Sequence, residues 1–290
     1  MKSASTGPGS SESQRDGKAK PATIDRRAQR SSIGTSPPVT WPDADGADPQ
    51  GTPPLSETSA FPLDAPTSEA DWIHLVAQAP ELAISTRPVL VVSPHPDDES
   101  LAVGGLLAEL ASRDVSVTVL TVTDGEGSHP GRAGLTDVRA TEQAAALRAL
   151  GLDDPPVRLG LPDGSVSEHT EQLANALADR CHPDTVVLAP WEHDGHTDHD
   201  ACGAVAHEVA AAQGATLLAY PVWAWQWASI GDLEQLALRR TTLSESSRSA
   251  KARAMACYSS QVFDEAGPPI VGPAALARFL RPWEVLIDVR

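Results

Sequence analysis

The sequence predicts an α/β domain with a mostly parallel sheet, and three observations carry that expectation. From about residue 68, short apolar runs that suit buried strands alternate with segments of helical spacing. The strand-like runs are rich in Val, Leu and Thr, as strands covered on both faces are. Glycines stand where two of the helices should stop, at Gly151 and Gly214.

The elements follow in order. "SEADWIHLVAQ" reads as a short helix leading into the domain, and "PVLVVSP" (88–94) as a buried strand ending in a turn. "SLAVGGLLAELASR" places Val103, Leu106, Leu107 and Leu110 on one face of an amphipathic helix. "VSVTVLTVT" (115–123) is the next strand. A helix over 136–151 follows, closed by Gly151 at the C-cap. Then come the strand "PVRLGL", the helix "SEHTEQLANALADR" and the strand "DTVVLAP". The helix "TDHDACGAVAHEVAAAQG" puts Cys202, Val205, Ala206 and Val209 on one face. Thr197 and Asp200 resemble a capping box at its start, and Gly214 is its stop. "ATLLAY" is a further strand. In "WAWQW", Trp223, Trp225 and Trp227 alternate, so a strand there would gather them on one face. That face could stack on a sugar ring or pack against the core.

Composition divides the 290 residues unevenly. Residues 1–66 are rich in Ser, Pro, Gly, Asp and Thr, and are expected to be a disordered low-complexity tail. Residues 67–290 are expected to form the folded domain. The tail holds 7 of the 22 Lys and Arg and 8 of the 39 Asp and Glu. Of the net charge of −17, the domain therefore carries −16. Such a domain is a poor partner for nucleic acid or an anionic membrane. No apolar run approaches the roughly 18 residues of a membrane span. No apolar region follows Arg26-Arg27, so an export signal is not expected. The three cysteines, Cys181, Cys202 and Cys257, are odd in number and form no CxxC pair. Small core residues in a reducing cytoplasm are the expectation.

Two polar clusters carry the chemistry. "SPHPDDES" (93–100) and "WEHDGHTDHD" (191–200) each follow a predicted strand, at the strand ends where α/β sheets bind ligands. In the first, one histidine, two aspartates and one glutamate crowd into five positions, an arrangement that a divalent cation would relieve. His95 and Asp98 on that turn, with His199 at the start of a later helix, make a catalytic-type zinc set: three protein ligands and a fourth position left for water. Ferrous iron suits the same donors. Asp97, beside a ligand, could take a proton from the metal-bound water. His196 could stabilise an oxyanion or protonate a leaving amine, and Asp198 could hold a histidine in its tautomer. Glu99 could cap the helix or take part in catalysis.

The pieces "PHPDDE", "DGHTDH", "VRATEQAAALRALG", "LGLPDG" and "KARAMACYSSQ" occur in the order found in the LmbE-like (PIG-L) zinc deacetylases, which the chain resembles over about residues 87–265. The resemblance implies a Rossmann-like three-layer α/β/α fold and hydrolysis of an N-acetyl group on a glucosamine-type sugar. The partner would be a small amino-sugar conjugate. It makes His95, Asp98 and His199 the zinc ligands, Asp97 the base, and His196 the group that steadies the oxyanion or acts as acid. It assigns Arg139 to substrate hydroxyl or phosphate groups and Asp163 to the pocket lining. The residues alone equally allow a surface pair of Arg139 with Glu142 and a turn role for Asp163. Tyr258 stands where histidine is usual before "SQ", Thr197 stands where proline is usual, and His193 has no counterpart and is expected to be exposed.

Two other functions compete. An amidase of the same metal chemistry would remove a larger acyl group from a thiol-sugar conjugate. A sugar- or nucleotide-binding module would do no chemistry. The first strand is not followed by G-x-G-x-x-G, however, and its turn holds carboxylates that would repel a pyrophosphate. No G-x-S-x-G supports a serine hydrolase.

Overall fold

A computed structural model describes residues 66–262 and 269–289. The segment expected to be a tail, up to residue 65, lies outside the described residues. Seven strands form one sheet: β1 (Val89–Ser93), β2 (Val117–Thr123), β3 (Val157–Leu161), β4 (Val186–Pro190), β5 (Thr216–Tyr220), β6 (Leu238–Thr242) and β7 (Trp283–Val289). Their order is β3-β2-β1-β4-β5-β7-β6. Pairing is parallel from β3 through β5, and β7 runs antiparallel to both β5 and β6. The expected α/β fold with a mostly parallel sheet is therefore present.

All five residues of β1 and of β4 are buried. That is why both read as unbroken apolar runs: helices cover the two faces of the sheet. On one face, Leu90, Val92, Leu120 and Val122 share a core with Leu173 and Leu177 of α4 (Thr170–Ala178) and Val205 and Val209 of α5 (Thr197–Gln213). Each such fully buried side chain contributes roughly 1.5–3 kcal/mol. On the other face lie α2 (Asp98–Ser112) and α3 (Leu135–Ala149), with α8 (Glu245–Met255) packed on both. This outer layer corrects the expectation of an amphipathic α2. The helix is buried on nearly all sides because α8 covers the face that the sheet leaves open.

Several local expectations also shift. Gly151 (φ +87°) sits one residue past the C-cap Leu150, while Gly214 (φ +68°) is itself the C-cap of α5. The expected Thr197–Asp200 capping box is absent. His196 caps α5, and Asp200 accepts from Gly195 N instead. The tryptophan segment is not a strand: α6 (Ala224–Trp227) is a single helical turn. Trp225 packs edge-on against Trp72 of α1 (Glu69–Gln78), at 5.1 Å between ring centres. Trp223 is half-buried and Trp227 exposed, so the three share no face. Alternation of large side chains alone cannot tell a strand from one tight turn.

The chain order places the site. From β1 the strands step outward through β2 to β3, and then from β4 outward in the opposite direction. The switch lies between β1 and β4, where diverging connections leave a crevice at the strands' carboxyl ends. The two polar clusters are the turns that leave those two strands.

Candidate active site

His95 lies between the end of β1 and the start of α2, and Asp98 is the first residue of that helix. Asp98 Oδ2 accepts from His95 N at 2.9 Å, which folds the turn back on itself. The same oxygen is 3.1 Å from His95 Nδ1 and 3.2 Å from His199 Nε2 on α5. One potential ligand atom from each of the three residues falls within 4.8 Å of the others. His199 Nε2 is buried and, despite its closeness to Asp98, makes no hydrogen bond. A nitrogen left in that condition, facing a carboxylate and a second imidazole, fits a divalent ion.

A second grouping, His95, His196 and Asp198, is equally compact. It suits an ion less well, because Asp198 is already engaged: it accepts from Gly164 N at 2.7 Å and Val166 N at 3.1 Å. Its Oδ2 also lies 3.2 Å from His95 Nε2, as does Asp163 Oδ1. Both carboxylates thus hold the far side of the His95 ring and leave Nδ1 toward Asp98.

Asp194 performs the same service for His199, and the sequence reading missed it. Its Oδ2 is 2.8 Å from His199 Nδ1. The carboxylate also accepts from the backbone N–H groups of Val222, Trp223 and Ala224, each at 2.9 Å. Its carbonyl accepts from Trp227 Nε1. Asp194 therefore ties a histidine of the cluster to the turn that carries Trp223. In sequence it is one more acid in an acidic loop.

Charges respond to this crowding. Burial would push the His95 imidazole down, but Asp163, Asp198 and Asp98 outweigh it and hold its pKa well above the ordinary value. Burial is likewise overcome at His199, raised to about 9 by Asp98 and Asp194, and at Asp98, held well below the usual range by His199 and His95. Without an ion, protons on the histidines balance the carboxylates; a divalent cation would displace them. Asp97 is pushed up to about 6, chiefly by burial, with Asp98 adding and Arg139 opposing. His196 is brought down to about 4, chiefly by burial, then by His199 and His95. Its Nδ1 accepts from Asp198 N, so the neutral ring carries its proton on Nε2.

Arg139 is buried and does not pair with Glu142. Its NH2 lies 3.0 Å from Asp97 Oδ2, and it donates to the carbonyls of Pro96 and Gly125. Gly125 (φ +67°) has no Cβ, and one there would collide with the guanidinium. Glu142 instead accepts from Ser259 and Ser260. Asp163 accepts from Gly127 N at 2.8 Å besides touching His95, so it is part of the site as well as of a turn.

Glu99 neither caps α2 nor reaches the cavity. It is fully buried, bonded to Ser93, Ser100, Gln143 and Tyr258, the last at 2.6 Å. Tyr258 thus anchors the turn from behind. His193 is exposed. Cys181 and Cys202 are buried and Cys257 half-buried, all three free.

Part of the site lines a cavity of about 340 Å³. His95, Asp97, Asp98, Arg139, Asp163 and His196 form its polar floor, and Leu101, Val222, Trp223 and Val271 an apolar side. The Trp223 ring lies 5.4 Å from that of His196. A larger groove of about 920 Å³ opens where β1, β4 and β5 begin, and its lining holds no histidine or cysteine.

Residues 90–210 match the family described as PIG-L, GlcNAc-PI de-N-acetylase. A Bacillus subtilis (strain 168) protein named as a probable N-acetyl-alpha-D-glucosaminyl L-malate deacetylase is 35% identical over 126 residues, 40% of this chain and 57% of its own length. A Kineococcus radiotolerans protein named as a 1D-myo-inositol 2-acetamido-2-deoxy-alpha-D-glucopyranoside deacetylase is 34% identical over 137 residues, 44% of this chain and 37% of its own length. The chain thus spans just over half of the first relative and about a third of the second. The crystal structure of a conserved Thermus thermophilus protein superposes with a TM-score of 0.51 at 29% identity, covering 67% of this chain and 84% of that one.

Proposed function

We propose that this chain, which carries a PIG-L family domain over residues 90–210, is a metal-dependent hydrolase that removes the N-acetyl group from an N-acetylglucosamine-type conjugate. The observation that carries the reading is the meeting of His95, Asp98 and His199 at the switch point, beside a cavity walled by Asp97 and His196. Residues 67–290 form the catalytic domain in this reading.

His95, Asp98 and His199 would hold the ion. Zinc suits the two-nitrogen, one-oxygen donor set, and ferrous iron is the alternative. When bound, such an ion polarises the amide carbonyl and lowers the pKa of water. The chain's own residues do the rest. Asp97 takes a proton from the attacking water, and Arg139 fixes the carboxylate's position for that transfer. The His196 Nε2–H donates to the oxygen that gains charge at the substrate carbon. The proton held by Asp97 then passes to the departing amine. Asp194 and Asp198 keep the two histidine ligands in their tautomers.

A second reading rests on the apolar side of the cavity, where Leu101, Val222, Trp223 and Val271 could receive an acyl group larger than acetyl. Among the described residues no helix is long and apolar enough to cross a membrane. Three free cysteines fit a reducing compartment, and we assign the chain to the cytoplasm on that ground.

The test is metal analysis joined to acetate release from N-acetylglucosaminyl compounds, with bulkier N-acyl analogues alongside. One ion per chain and acetate release support the proposal. Faster cleavage of the bulky analogues favours the amidase. Absence of both metal and acetate release removes the enzymatic reading.

A further inference from the structure

The cavity's charges and hydrogen-bonding groups bear on the part of the substrate beyond the sugar amide. Arg139 is the single Lys or Arg among the described lining residues, and it is 2% exposed. Its charge is committed to Asp97, and further N–H groups go to Gly125 O and Pro96 O, while its Nε is buried without a partner. Asp163 lines the same wall, with Oδ2 accepting from Gly127 N and Oδ1 set against His95 Nε2. Away from the ion's position, a carboxylate or phosphate entering here would lose water and meet no cation that is not already paired with a carboxylate, a costly transfer. It would also approach against the field of a chain of net charge −17.

The wall does offer an acceptor. Gln261 lines the cavity, and its Oε1 is buried with no hydrogen-bond partner. The neighbouring bonds fix the amide's orientation. Ser260 donates its hydroxyl to Glu142 and so accepts from Gln261 Nε2. Ser128 donates to Gly125 O and likewise accepts from Gln261 Nε2. The amide nitrogen is thus spoken for and its oxygen lacks a donor, which a hydroxyl group supplies and a carboxylate cannot.

Resting on the deacetylase reading, we propose that the site selects a conjugate whose second half is uncharged and rich in hydroxyl groups, a polyol or a sugar, over one that carries a carboxylate or phosphate.

The experiment compares two substrates that share N-acetylglucosamine, the myo-inositol conjugate and the L-malate conjugate, on the metal-loaded full-length chain. The inositol conjugate should have a kcat/KM at least about tenfold higher, as like-charge juxtaposition predicts. The gap should narrow as salt rises from about 0.05 to about 0.5 M, because screening weakens the repulsion of the anion. Gln261→Leu should raise KM for the inositol conjugate more than it changes kcat. Equal or better use of the malate conjugate overturns the inference and leaves the deacetylase reading standing. So does a gap that salt does not alter, since shape and not charge would then discriminate. Failure to release acetate from either conjugate, or from any N-acetylglucosaminyl compound, overturns the deacetylase reading itself and the inference with it.

Discussion

Asp97 and Arg139, brought from the first βα turn and from α3, form a buried ion pair at 3.0 Å beside the histidine cluster. The pair joins a carboxylate that burial pushes toward its neutral form to a cation that keeps it able to ionise. Replacing Asp97 with Asn keeps the side chain's size and leaves His95, Asp98 and His199 untouched. The variant should retain its ion and lose about 10²–10⁴-fold in kcat, the usual worth of a positioned general base. Metal stoichiometry and turnover measured on one preparation check this. Full activity would remove Asp97 from the mechanism.

The same pair sets a pH dependence. Asp97 titrates at about 6 in the metal-free fold, above its unfolded value of about 3.9. A carboxyl raised in this way contributes stability that is complete below the unfolded value and lost as pH rises through about 6. Metal-free wild type should therefore lose stability relative to Asp97→Asn between about pH 4 and 6, read as urea midpoints. In the loaded enzyme the acid limb of kcat/KM should lie no higher than about 6, since a nearby cation favours the carboxylate. Arg139→Gln should move that limb upward, because Arg139 opposes the rise.

Asp194 serves His199 and the Trp223 turn at once. Asp194→Ala should weaken metal binding by about 10–100-fold, as loss of a carboxylate behind a histidine ligand does. It should also free three backbone N–H groups and alter tryptophan fluorescence. Competition with a chelator measures the first effect. Unchanged affinity would reduce Asp194 to a loop anchor.

Away from the site, Lys251 Nζ lies 2.6 Å from Glu284 Oε1, both side chains 2% exposed. Glu284 also accepts from the Gly105 and Leu106 N–H groups of α2, just past its non-helical Val103. Glu284→Ala leaves a buried ammonium and two amides unpaired, and should cost about 3–5 kcal/mol by urea denaturation. The double variant Lys251→Met/Glu284→Gln should recover part of that loss.

Much of the site is legible in the order of residues. His95 and Asp98 lie three apart on a turn, and "DGHTDH" follows a strand run, so the parallel topology alone predicts that they converge. What was not legible depended on which groups the fold brings into contact. Arg139 allows a surface pair or a substrate contact equally until Pro96, Asp97 and Gly125 surround it. Asp194 and Asp198 look alike in one acidic loop, yet they hold different histidines. Beyond residue 228, where β6 and β7 add an antiparallel edge and α8 buries α2, the sequence carries no motif that announces either feature.

By itself, then, the sequence determined the alternation of elements, the parallel core of the sheet and the residue types that can bind an ion. These are local: they follow from apolar periodicity and from donor chemistry within a few positions. Only the tertiary structure decided which carboxylate faces which imidazole, where the charge of Arg139 is committed, and that the Gln261 oxygen lacks a donor. Those outcomes depend on distances between side chains that lie anywhere from 5 to 103 residues apart, or on burial that raises the cost of every unmatched charge. Neither quantity exists until the chain has folded.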